Sequence, residues 1–156
     1  MVDDVPANIL PGIDRALATA RTQVVSGTDL FGAKQSLRIR ICEVGPFLVM
    51  KLRAFASRQA PKDAFDLLYS LRHYDGGTSA AVAAFHAEGA AGNLAFQDAA
   101  ACLRLHFGNE EAAAPVRAAH FVHGPVTASE TDDTRLLRQQ IQQDVVTMGL
   151  LLNRAI

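Results

Sequence analysis

Five of the six charged side chains in the sixteen positions from 51 to 66 stand out: Lys51, Arg58, Lys62, Asp63 and Asp66. Helical spacing on either side of Pro61 brings them to one helix–turn–helix elbow, with Asp63 and Asp66 three apart and therefore on one side of their helix. Three cations and two carboxylates gathered there could form a polar site. They could equally be an exposed Lys62–Asp66 pair four residues apart plus helix-start acids, worth at most about 1 kcal/mol.

Other chemistries find less support. His120 and His123 have near-ligand spacing for a helix, but no third ligand clusters with them, so no zinc site is expected. His73, His86 and His106 are scattered. There is no Gly-x-Ser-x-Gly elbow and no glycine-rich phosphate loop of the dinucleotide or Walker type. Cys42 and Cys102 lie sixty positions apart, which suggests neither a disulfide framework nor a cysteine metal site and fits a reducing cytoplasm.

The elements that must position the elbow follow from periodicity. Pro46 opens a helix with Leu48, Leu52 and Phe55 on one face, and Pro61 opens a second with Ala64, Leu67, Leu68 and Leu71 as its core stripe. Upstream, residues 11–21 read as a short helix. Residues 23–26 and 37–41 read as two strands joined by a turn over 27–32, with Leu37, Ile39 and Ile41 facing inward under the helices and Arg38 and Arg40 facing solvent. A two-stranded ribbon is marginal alone, so one edge is expected to stay open for a further strand.

Downstream, sixteen of the 27 alanines lie between Thr78 and Ala119, where Gly89, Gly92, Gly108 and Pro115 divide the stretch into short helices. Leu137, Ile141, Val145, Met148 and Leu152 mark a long C-terminal helix starting near Asp132. With Leu136, Val146, Leu150 and Leu151 widening its apolar face, a central position is expected. The polar run from Thr127 to Asp133 resembles a linker.

The chain therefore reads as one mostly α-helical α+β domain over 1–156, with a helix and β-hairpin in 1–44 and a helical bundle in 45–156. With 15 basic and 16 acidic residues among 156, 49% hydrophobic content and a net charge of −1, neither general nucleic-acid binding nor a polybasic membrane association is expected. No apolar run reaches the roughly 18 residues that a membrane span needs.

The run from Pro46 to Phe55, then Arg58, then Lys62-Asp63-Ala64-Phe65-Asp66-Leu67 resembles the AbiEii-type bacterial nucleotidyltransferases of the abortive-infection and type IV toxin families. Their pattern here is a Lys-bearing apolar helix, an Arg, and Lys/Arg-Asp-x-x-Asp-Leu. The resemblance covers residues 36–74 and implies the C-terminal half of a nucleotidyltransferase fold. It makes Lys51 and Asp63 the catalytic pair, Lys51 neutralising phosphate charge and Asp63 orienting or polarising a group in the site. Arg58, Lys62 and Asp66 become nucleotide-binding or elbow-positioning residues.

The departure is upstream. Those families carry a Gly-Gly/Ser turn and a strand with paired Asp that binds Mg²⁺ for in-line transfer, and neither motif occurs in this sequence. The expectation is a protein inactive alone, needing Mg²⁺ and a nucleoside triphosphate only when the carboxylate half is supplied. The alternatives are a truncated gene remnant or a non-enzymatic module that binds a protein partner, or a second copy, through the hairpin edge or the C-terminal helix.

Overall fold

In a computed structural model, which describes residues 10–154, the order is α1 (Ile13–Ala18), β1 (Arg21–Thr28), β2 (Lys34–Ile41), α2 (Val44–Arg58), α3 (Pro61–His73), α4 (Gly77–Ala90), α5 (Phe96–His106), α6 (Ala113–His123) and α7 (Asp132–Asn153). The fold is a mostly helical α+β arrangement, as the sequence indicates. One short helix precedes the hairpin and six helices follow it.

The middle of the bundle is α2. Its stripe of Leu48, Val49, Leu52 and Phe55 is wholly buried, and α1, α3, α4 and α5 pack around it. Gly45 lets the start of α2 approach α4, because a Cβ there would come within 2.5 Å of the Ala84 carbonyl oxygen. At the other end, Phe55 meets Phe107 edge-on with ring centroids 5.6 Å apart. Core residues contributed by α2 to α7 form one cluster.

The C-terminal helix is not central. It lies against α6 and, less extensively, α3, α4 and α5. It buries Val145, Met148 and Leu152, whereas Leu136, Leu137 and Leu150 remain about half exposed or more. Its apolar surface is wider than the surface its neighbours cover. The run before it is more than a linker: Arg138 is buried, pairs with Glu130 at 2.6 Å and donates to the Gly124 carbonyl at 3.0 Å, strapping the connection onto α7.

The hairpin corrects a second expectation. β1 and β2 pair antiparallel with Val25 opposite Leu37, Gln23 opposite Ile39 and Arg21 opposite Ile41. Paired residues share a face, so Val25, Leu37, Ile39 and Ile41 stand with Arg21 and Gln23 on one side while Thr22, Val24, Lys34, Arg38 and Arg40 stand on the other. Among the described residues neither side is covered. All sixteen strand residues are exposed, including Leu37 at 65%, Ile39 at 42% and Ile41 at 41%. The helices satisfy their apolar stripes against one another and leave no face for the ribbon. Its root is tied by Arg40 donating to the Leu17 carbonyl at 2.6 Å and by an Arg21–Glu43 pair at 3.3 Å.

The tip is well built despite its exposure. Asp29 Oδ1 accepts from the backbone N–H groups of Phe31 and Ala33, each at 2.9 Å, and Gly32 supplies the positive φ of 84°. This is an Asp-closed turn, and it presents Leu30 and Phe31 almost entirely to solvent. Among the described residues no helix is long and apolar enough to cross a membrane.

Candidate functional site

The elbow is created by a two-residue connection. α2 ends at Arg58, Gln59 takes a left-handed φ of 46° while its N–H bonds the Phe55 carbonyl, and Ala60 is extended. Pro61 then opens α3, where its missing N–H costs nothing and its fixed φ suits the first turn. The reversal lays α3 back along α2, so residues two turns up α2 meet residues of the first turns of α3.

All five residues singled out in the sequence meet there. Lys51 Nζ donates to Asp63 Oδ1 at 3.0 Å and to Asp66 Oδ2 at 2.7 Å. Arg58 grips Asp63 with two bonds, Nε to Oδ2 at 2.7 Å and Nη2 to Oδ1 at 2.9 Å. Lys62 Nζ lies 2.7 and 2.8 Å from the two oxygens of Asp66. Helical spacing thus supplied the Lys62–Asp66 pair, and the fold adds the bridging Lys51 and the bidentate Arg58.

Burial sorts the roles. Asp63 is 1% exposed, and among the described residues its oxygens accept from Lys51 and Arg58. Hydrogen bonds from Arg58 hold its pKa below the ordinary carboxylate value; burial opposes them, and Lys51 reinforces them. Burial acts to raise the pKa of Asp66, yet the bonds from Lys51 and Lys62 outweigh it and the net shift is downward. For Lys51 burial works against the charge, but the bonds to Asp66 and Asp63 leave its pKa raised. Both carboxylates are thus held ionised, and the paired carboxylates hold Lys51 and Arg58 in their charged forms.

Donor capacity remains. Among the described residues Lys51 uses two of its three N–H groups, and Arg58 uses two of its five. The side chains of Arg58 and Lys62 are 63% and 64% exposed. A buried carboxylate that fixes cations whose outer edges meet solvent is suited to receiving an anion, since the donors are oriented before it arrives.

The same geometry does not suit Mg²⁺. Every carboxylate oxygen of Asp63 and Asp66 already accepts from a cation. Among the described residues no group of three His, Cys, Asp or Glu side chains is placed to hold a metal ion. His120 and His123 are partly buried residues of α6, outside any such group.

Two hollows flank the elbow. One, of about 420 Å³, lies along α2 beside Arg58 and is lined by Pro11, Met50, Arg53 and Ser57 among others. The second, of about 310 Å³, lies at the hairpin root, where Phe47 of α2 meets Tyr69, His73 and Tyr74 of the α3 end. Sequence reasoning missed the second hollow and treated His73 as isolated. The available signal was that Lys62, Asp66, Tyr69 and His73 recur at spacings of four, three and four along one face of α3.

A separate buried group was also missed. Glu88 on α4 is 4% exposed. It receives Arg15 Nε and Nη2, both at 3.1 Å, and Asn93 Nδ2 at 2.9 Å, while Asn93 Oδ1 caps the N–H of Ala95. This group fastens α1 to the α4–α5 corner through a single cation, Arg15, against the three gathered at the elbow. Cys102 is 3% exposed, with burial pushing its thiol up to about 12, so it is inert. No protein-family model matches the chain, and no curated protein or solved structure shows significant similarity to it.

Proposed function

We propose that the chain is a nucleotidyltransferase-like protein of the AbiEii type whose elbow holds the phosphates of a nucleoside triphosphate. In this reading the hairpin and helices correspond to the C-terminal half of such a fold. Lys51 and Arg58 meet phosphate oxygens, with Lys62 at the rim. Asp63 acts through the two cations it orients, and Asp66 ties Lys51 to Lys62. The observation that carries the reading is the closed Lys51–Asp63–Arg58 arrangement: a buried carboxylate aligns two cations that retain unused donors.

Mg²⁺-binding carboxylates would have to come from elsewhere, so the chain is inactive by itself. With them, relatives of this type would move a nucleotidyl group from the triphosphate to RNA, protein or a small acceptor. Thermal unfolding with excess ATP tests the binding. At a hundred times Kd the ligand adds about 2.7 kcal/mol, which raises Tm by roughly 5–10 °C for a chain of this size. That rise should vanish in Lys51→Ala. Equal rises in parent and variant, or none in the parent, would refute the assignment.

A second reading is favoured by a different observation. The exposed hairpin, with Leu30 and Phe31 at its tip and Leu37, Ile39 and Ile41 along one side, has the apolar surface and open strand edges of a protein-interaction element. Under this reading the chain is a non-enzymatic partner-binding module and the elbow is a structural staple.

A further inference from the structure

The hollow at the hairpin root lies one helical turn from the elbow along both helices. Phe47 precedes Lys51 by four residues on α2, and Tyr69 follows Asp66 by three on α3. Lys51 Nζ sits 5.9 Å from the centroid of the Phe47 ring, so the wall of the hollow and the cation that bridges both carboxylates are in direct reach. Tyr69 and His73 stand with ring centroids 4.3 Å apart, and Tyr69 is 53% exposed. Arg21 and its partner Glu43 also line it.

Four aromatic rings around about 310 Å³, next to cations with donors to spare, define a ligand by its chemistry. It is flat and π-rich at one end and anionic at the other. We infer that this aromatic hollow receives the base of a nucleoside phosphate, stacked against Tyr69 and Phe47, while its phosphates lie on Lys51 and Arg58. The inference rests on the phosphate-holding role proposed for the elbow and adds the base subsite to it. Stacking on aromatic side chains tolerates every base, so the site discriminates nucleotides from bare polyphosphate more than one base from another. The Arg21–Glu43 pair at the rim offers a donor and an acceptor to a base edge.

Calorimetric titration of the purified full chain with ATP and, separately, with inorganic tripolyphosphate separates the two assignments. The parent should bind ATP about tenfold more tightly than tripolyphosphate. Tyr69→Ala should remove that advantage and leave tripolyphosphate binding unchanged, while Tyr69→Phe, which keeps the ring, should retain it. Lys51→Ala should weaken both ligands. If Tyr69→Ala binds ATP as the parent does while Lys51→Ala does not, the base subsite is wrong and the phosphate site stands. If the parent binds neither ligand, both assignments fall.

Discussion

The elbow and the hairpin distribute polarity in opposite ways. At the elbow, five charged residues satisfy one another over distances of 2.7–3.0 Å around a carboxylate removed from water. In the hairpin, apolar residues are displayed to solvent, and two of the basic ones, Arg21 and Arg40, only tie its root. Burying charge is costly unless geometry is tight and every partner is met, so the elbow is a committed structure. Exposing Leu30, Phe31 and Leu37 forgoes hydrophobic stabilisation, so the hairpin adds little to the fold and is free to serve contacts outside it.

The contrast is broken most severely in the core beside the elbow. Leu52→Ala should cost about 3 kcal/mol, because Leu52 is completely buried in the central helix. Leu37→Ala on the ribbon should change stability by no more than about 0.5 kcal/mol, the usual range for surface positions. Urea unfolding of the two variants measures this directly, and similar losses would contradict the division between body and ribbon.

The next effect belongs to the elbow itself. Asp63→Ala removes both bonds to Arg58 and one from Lys51. Arg58 can return to water and Lys51 keeps Asp66, so the expected cost is about 2 kcal/mol, the scale of charge-assisted hydrogen bonds. The same unfolding experiment checks it.

Acid titration sharpens the point. The folded pKa of Asp63 lies below its ordinary 3.8, so its stabilising contribution is complete above that value and is lost as pH falls through the folded pKa. Between about pH 4 and pH 2 the parent should therefore lose stability faster than Asp63→Asn. Parallel acid limbs in thermal melts would show that the carboxylate contributes nothing by being ionised.

The smallest stability change is expected at the hairpin tip. Leu30→Ser with Phe31→Ser should leave Tm nearly unchanged, yet it should reduce concentration-dependent self-association measured by sedimentation. A parent that remains monomeric over a wide concentration range would remove the evidence for an associating ribbon.

These differences track what was legible in the sequence. The elbow could be read because Pro61 fixes a helix start and three- and four-residue spacings place Lys62, Asp63 and Asp66 without knowledge of the rest of the chain. The strands were equally visible in their alternation, but alternation gives two faces and does not say whether anything covers them. The C-terminal helix shows the same limit: its apolar width suggested a central place, whereas α2 occupies the centre and Leu136, Leu137 and Leu150 stay exposed. Arg15 and Glu88 meet across 73 positions, a pairing that only the folded chain creates. The aromatic hollow likewise depends on α2, α3 and the hairpin root converging.

The elbow is proposed to hold phosphate as well as to staple two helices. Isothermal titration of ATP into the parent and into Lys51→Ala, with Leu52→Ala as a control for lost stability, tests it most directly. Binding is expected for the parent and for Leu52→Ala below its unfolding temperature, with at least tenfold weaker binding by Lys51→Ala. Indistinguishable affinities for parent and Lys51→Ala, or no heat of binding from the parent, would contradict it and leave the elbow a structural ion-pair cluster.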